Sequence, residues 1–309
     1  MSIYSTNDID EVYSNSSSSL IYSSVREGSV VLDIGCSTGN MADKLTKEKG
    51  CMVDGIEPDA DDARVARKRC RIVLEKDVNH YNFSDLTNGS YDYIILCNVL
   101  EHLTNPENTL KNCKKLLKKD GKILFSVPNI SNITTRMDLL FGSFDYEDEG
   151  ILDRTHYKYF TKKTLFNLFA ESGYKIDNYY ASTKEIEESV IGERFGKLGI
   201  QVTPELKELL YSEESLTYEH IGIASPGMGV RIKDNIDNKI ERLQNIYIRK
   251  LEIDSKKMKN YIAKLEKELA DEHAEIIRLS TIPVKEGSLP GRVLKSIKHH
   301  IQNEGKDNS

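Results

Sequence analysis

Between residues 30 and 128, short apolar runs alternate with amphipathic stretches of helical period. Val30-Val31-Leu32-Asp33-Ile34 reads as a strand covered on both faces, because its apolar positions are almost continuous. Asn40 to Lys47 predicts a helix, with Gly50 just beyond its end. Cys51 to Glu57 predicts a second strand and Ala60 to Cys70 a second helix. Asp61 and Asp62 in the first turn of that helix, and Arg67, Lys68 and Arg69 in its last, complement the helix dipole. Arg71 to Glu75 is a weaker strand and Tyr93 to Cys97 a strong one. Thr104-Asn105-Pro106 opens a helix with a stripe of Leu110, Cys113 and Leu117, and Gly121 is read as its end. Ile123 to Val127 is a strand stopped by Pro128.

Strands and helices alternating at this spacing predict an α/β fold of parallel βαβ units, with right-handed crossovers and helices on both faces. Ligands in such sheets bind beyond the C-terminal strand ends, near the point where the strand order reverses. The segments just after each strand are therefore where chemistry is sought. Residues 129–159 read as a polar, aromatic-rich loop. Thr161 to Glu171 predicts a helix closed by Gly173, Tyr174 to Tyr180 a strand, 184–213 charged helix, and His220 to Ala224 a last short strand. Pro226-Gly227-Met228-Gly229 reads as a breaker, so the first domain is assigned to residues 1–229. The serine run Ser16 to Ser19 is read as loop.

A different period follows. Ile248, Ser255, Ile262, Leu269 and Ile276 occupy heptad positions a, and Leu251, Met258, Leu265, Glu272 and Leu279 positions d. Ile236, Ile240, Leu243 and Tyr247 continue the stripe upstream with a one-residue skip. Lys and Glu crowd the flanks, so 232–280 predicts a coiled coil, about 70 Å long, that joins copies of the chain into a homo-oligomer. The coiled-coil region is taken as 230–281 and a basic tail as 282–309. Within the tail, Val293, Leu294, Ile297 and Ile301 share one face of a basic helix over 290–302. That helix suits an anionic membrane surface or a partner enzyme, and a solvated tail equally well.

Charge sharpens this division. Residues 231–309 carry 17 Lys and Arg against 13 Asp and Glu, whereas residues 1–230 carry 26 against 36. An acidic first part argues against nucleic acid as a partner, since phosphate binding needs a basic face. No run approaches the ~20 apolar residues of a membrane span, and Met1 to Leu20 lacks the basic start and apolar run of a signal peptide. The five cysteines, Cys36, Cys51, Cys70, Cys97 and Cys113, show no C-x-x-C spacing and fit reduced, buried thiols. The expectation is a soluble cytoplasmic protein, with the tail's membrane contact peripheral.

Four strand ends carry polar residues suited to a nucleoside-like ligand. The first runs into Asp33-Ile34-Gly35-Cys36-Ser37-Thr38-Gly39, where two glycines allow a tight turn and a close backbone approach at a helix N-terminus. This is not the G-x-G-x-x-G dinucleotide pattern. Glu57, after the second strand, can accept two ribose hydroxyls, and Asp77 after the third can meet an adenine amino group. Asn98 follows the fourth, in Asn98-Val99-Leu100-Glu101-His102. Singly each is an ordinary cap or loop residue; together, at successive strand ends, they point to one site.

This series resembles the motifs of class I S-adenosylmethionine-dependent methyltransferases. Ser126-Val127-Pro128-Asn129 and Asp153-Arg154-Thr155-His156, with Phe160-Thr161, resemble the branch containing many bacterial and archaeal glycan and small-molecule O-methyltransferases. The resemblance implies a Rossmann-like, doubly wound, seven-stranded, mainly parallel sheet, and S-adenosyl-L-methionine as cofactor. It implies that Asp33, Gly35, Ser37 and Gly39 belong to the turn under the methionine part. It places Glu57 and Pro58 at the ribose, Asp77 and Val78 at the adenine, and Asn98 near the amino acid end. Ser37 stands where relatives often have Gly, and Asn98 where they often have Asp, which removes a negative charge near the sulfonium.

Transfer to a hydroxyl needs an aligned acceptor, for which proximity supplies ~7–11 kcal/mol, and a base, worth typically ~10²–10⁴ in rate. His156 and His102 are the candidate bases; each can instead tie a loop in place. Asn129, Arg154 and Tyr157 are candidates for the acceptor site. No cluster with metal-ligand spacing stands outside the cofactor set, so no metal is assigned. The leading expectation is O-methylation of a glycan, such as a cell-surface polysaccharide or its precursor. The alternatives are a phenol or quinone acceptor, and a non-catalytic scaffold acting through its coiled coil.

Overall fold

The computed structural model describes residues 16–184, 186–232 and 236–281. The elements run α1 (Ser17–Ser24), β1 (Val30–Ile34), α2 (Asn40–Lys49), β2 (Met52–Ile56), α3 (Ala60–Ala66), β3 (Ile72–Leu74) and β4 (Tyr91–Cys97). A 3-10 turn (Leu100–His102) precedes α4 (Pro106–Leu116), β5 (Leu117–Pro128), α5 (Ile133–Leu140), α6 (Lys162–Glu171) and β6 (Tyr174–Thr183). Then come α7 (Glu188–Lys197), α8 (Pro204–Leu210), α9 (Glu213–Leu216), β7 (Thr217–Pro226) and α10 (Ile236–Thr281).

The strands form one seven-stranded sheet in the order β3-β2-β1-β4-β5-β7-β6. All pairings are parallel except those of β7, which runs antiparallel to β5 and β6. The fold is thus the expected Rossmann-like α/β sheet. Side chains of alternate parity feed two cores. Leu32, Ile34, Ile94, Leu96, Ile123 and Phe125 lie in one, and Val31, Val53, Tyr93, Ile95 and Leu124 in the other. That is why these strands read as continuous apolar runs. The order reverses between β1 and β4, and the candidate residues follow the C-terminal ends of the strands around that point.

Three local expectations are corrected. Gly121 does not end a helix: α4 stops at Leu116, and Gly121 lies inside β5, where a Cβ would sit 2.8 Å from the Tyr91 carbonyl oxygen. Residues 129–159 are not all loop, because α5 buries Ile133 and Met137 against Ile191 and Phe195 of α7 and Leu210 of α8. The serine run is not loop: Ser16 caps α1, its hydroxyl accepting the Ser19 N–H, and Ser17 to Ser19 open the helix. The breaker after β7 stands, since 227–232 hold neither helix nor strand; a Cβ at Gly229 would clash with the Tyr174 carbonyl oxygen, and further on the Ile232 N–H donates to Asn167 Oδ1 (2.8 Å).

By its contacts the chain divides into Met1–Lys233 and Asp234–Ser309. In the second unit α10 is one helix of 46 residues, and every described side chain from Leu251 to Glu275 is exposed. Among the described residues no helix is long and apolar enough to cross a membrane. The basic segment 290–302 lies outside the described residues, as do the side chains of Ile248, Ile276 and Leu279.

Candidate active site

The loop after β1 is built around left-handed backbone. Gly35, Ser37 and Gly39 have φ of 72°, 47° and 81°. At Gly35 the turn is also crowded, since a Cβ would meet Val99 Cγ2 at 2.8 Å. Ser37 takes a conformation costly for a residue with a Cβ. Two bonds hold it there: its N–H donates to Glu57 Oε2 (2.8 Å) and its hydroxyl to Asp62 Oδ2 (3.2 Å). Gly39 caps α2, so the loop leads straight into a helix N-terminus.

Glu57 is buried and accepts a second N–H, from Asp59, on Oε1 (2.9 Å). Its carboxyl is raised above the usual range, chiefly by burial, with the two backbone N–H groups opposing the shift. Asp33, buried beside it, is pushed up to about 7 by burial and by the charge of Glu57. Asp62 is fully buried, and its Oδ1 meets no hydrogen-bond partner. Three carboxylates therefore border the Ser37 loop, two of them with ionisation suppressed. Such a cradle favours a cationic ligand, which would restore their charge. The donor set thus fits S-adenosyl-L-methionine, whose sulfonium and ammonium are positive.

Around this cradle Gly35, Pro58, Asp77 and Asn98 are solvent-exposed, while Val78 is buried. Asp77 Oδ1 accepts the Asn79 N–H (2.8 Å), and Asn79 Oδ1 accepts the Thr104 N–H (2.8 Å), tying the loop after β3 to that after β4. Asn98 has φ of 52°, which Asn tolerates better than most residues, and its Oδ1 accepts the Ser126 hydroxyl (3.2 Å). The residues expected at the cofactor therefore lie together at the C-terminal ends of β1 to β4.

The two candidate bases are neighbours. The His102 and His156 rings lie 4.7 Å apart, centroid to centroid, nearly edge to face. The Glu101 carbonyl accepts the N–H groups of Tyr157 (2.8 Å) and Lys158 (3.0 Å), which locks the 3-10 turn to the later loop. His156 Nδ1 lies 3.1 Å from the Ile151 carbonyl oxygen; only an N–H can bond there, so the lone pair is on Nε2. The Thr155 hydroxyl donates to Asp153 Oδ1 (2.6 Å) and so accepts from His102 Nδ1 (3.1 Å). Burial lowers the pKa of both histidines, and for His102 the proximity of His156 adds to it, which favours the neutral imidazole in each.

Of the other acceptor candidates, Asn129 is corrected. It is completely buried, donating to the carbonyls of Glu214 and Thr217 (both 2.8 Å) and accepting from Ser131, so it fastens β5 to β7. Arg154 pairs with Asp148 (2.7 Å) at the surface, and Tyr157 is exposed. The sequence reading gave no role to a cleft of about 280 Å³ lined by Thr134, Asp138, Glu147, Ile151, Lys184, Arg194 and Tyr218, among others. Nor did it assign Glu101, although that residue adjoins His102. Its buried carboxyl departs strongly upward from the ordinary range through burial.

A mainly parallel sheet with a glycine-bearing turn after β1, an acidic residue after β2 and a reversal of strand order between β1 and β4 is the arrangement of a nucleoside-type cofactor domain. The family described as a methyltransferase domain matches residues 20–179, just over half of the chain. The chain belongs to this family, a class I S-adenosylmethionine-dependent methyltransferase domain, and its cofactor is S-adenosyl-L-methionine. It is 33% identical over 112 residues to a ubiquinone biosynthesis O-methyltransferase of Glaesserella parasuis, covering 33% of this chain and 46% of that protein. It is 30% identical over 154 residues to the protein of that name from Coxiella burnetii, covering 48% and 63%. The chain thus spans about half the length of the curated relatives it matches. Among solved structures it is similar to an S-adenosylmethionine-dependent methyltransferase from Archaeoglobus fulgidus, at 19% identity and TM-score 0.46, covering 66% of this chain and 88% of that one.

Proposed function

We propose that this protein is an O-methyltransferase acting on a hydroxyl of a glycan-type acceptor. S-adenosyl-L-methionine supplies an electrophilic methyl group on a sulfonium. On this reading the turn at Gly35, Ser37 and Gly39 holds the methionine part, with the Asp33, Glu57 and Asp62 carboxyls balancing its charge. Glu57 and the adjoining Pro58 hold the ribose, Asp77 and Val78 flank the adenine, and Asn98 borders the amino acid end. His156 takes the acceptor proton at Nε2, and His102 supports it. The observation that carries the reading of this end is the pair of neighbouring histidines, each with Nδ1 engaged, at the loop of Asp153 to His156.

The polar cleft favours a polyhydroxylated acceptor, since Glu147 and Lys184 offer charged hydrogen-bonding groups beside the ion pair of Arg194 with Asp138. The names of the relatives favour the second reading, a phenol or quinone acceptor. The test is production of S-adenosylhomocysteine with two acceptor panels, nucleotide-linked sugars and dihydroxylated phenols. Turnover with sugars alone supports the glycan reading; turnover with phenols alone replaces it; none with either, in protein that binds the cofactor, overturns both acceptors. The reading also includes a homo-oligomer held through the exposed heptad positions Leu251, Met258, Ile262, Leu265 and Leu269 of α10. A second copy fits because the stripe is self-complementary and flanked by both charges.

A further inference from the structure

We propose that Glu101, His102 and His156 form a binding site for a divalent transition-metal ion. Sequence spacing hides it, because the ligands come from the turn after β4 and the loop before α6. The fold brings one donor atom from each within 4.8 Å of the others. Glu101 is 1% exposed, and neither carboxylate oxygen meets a hydrogen-bond partner. Leaving a carboxyl in that state is costly, and a bound cation would remove the cost.

The histidines are prepared as ligands. Metal-bound imidazoles usually donate the other ring N–H to a carbonyl or carboxylate, which fixes the tautomer. His156 does so directly to Ile151, and His102 does so through Thr155 to Asp153. Two imidazoles and one carboxylate suit Zn²⁺, Mn²⁺ or Co²⁺ better than Ca²⁺ or Mg²⁺, and three protein ligands leave positions open for a water or an acceptor oxygen. Both histidines are partly exposed, so the site opens outward from the buried Glu101. The inference rests on the acceptor-side reading above and changes the part of His156 from base to ligand.

The probe is Co²⁺, added to untagged, chelator-treated full-length protein and read by its visible absorption. One Co²⁺ per chain, displaced by Zn²⁺, is expected. Glu101→Gln and His156→Ala should each weaken binding about tenfold or more. Thr155→Val, at an exposed position, should weaken it comparably by releasing His102. A His299→Gln/His300→Gln variant should bind like the parent. The proposal is overturned if the parent takes up no stoichiometric Co²⁺, or if the Glu101 and Thr155 variants bind it as tightly as the parent. Calorimetry with S-adenosylmethionine on the same samples separates the two readings. Cofactor bound without Co²⁺ removes the ion site alone; Co²⁺ bound without cofactor removes the cofactor crevice as drawn and keeps the ion site.

Discussion

Asp33 shows how a single buried carboxyl couples folding, pH and ligand. Its pKa of about 7 lies far above that of an unfolded aspartate, so the fold favours its neutral form. The stabilisation is complete below about pH 4 and is lost as pH rises through 7. The ligand-free protein should therefore weaken across that window, by about 1 kcal/mol per pH unit, in denaturant titrations, and Asp33→Asn should flatten the slope. Cofactor binding should show the opposite trend. Affinity for S-adenosylmethionine should rise toward pH 8 as Asp33 ionises, and calorimetry in buffers of different ionisation enthalpy should detect proton release. Glu57→Ala should weaken cofactor binding tenfold or more, since it removes both the proposed ribose acceptor and the partner of Ser37 N–H; unchanged affinity would misplace the ribose site. His156→Ala should lower turnover about 100-fold or more at unchanged cofactor affinity, by the loss of a group acting on the acceptor side.

At the scale of elements, what matters is how loops distant in sequence are fastened over the sheet. Asn129 at the end of β5 and Asn132 at the cap of α5 both donate to the Thr217 carbonyl where β7 begins. Asn129 reads like an acceptor-binding residue in sequence, yet both fully buried amides fasten this segment to β7. Asn129→Ala should cost roughly 2–3 kcal/mol in denaturant unfolding, through the carbonyls left unpaired, with cofactor affinity little changed. The 3-10 turn and the loop before α6 are joined in the same way through the Glu101 carbonyl, which is how the two histidines meet.

For the whole molecule, the proposed division is a cofactor-binding unit and a helix that associates with its counterpart in another copy. A chain ending at Lys233 keeps the bond between Ile232 and Asn167, which a chain ending at Gly229 would lose. The longer of these should bind S-adenosylmethionine like the full protein and should be a monomer by light scattering. Equal oligomeric states for it and the full chain would refute association through α10.

The period of the apolar positions determined the strand–helix alternation by itself, because strands buried on both faces must be apolar throughout. The gathering of Gly35, Glu57, Asp77 and Asn98 at one edge of the sheet was legible for a related reason: in parallel strands the residue after each strand arrives at the same edge. The α4–β5 boundary was not legible, because Gly121 serves equally as helix terminator and as the residue that clears the Tyr91 carbonyl. The cluster of Glu101, His102 and His156 was decided by tertiary structure alone. Its members meet only when the backbone of one loop bonds to the backbone of another, and backbone groups leave no mark in the order of side chains.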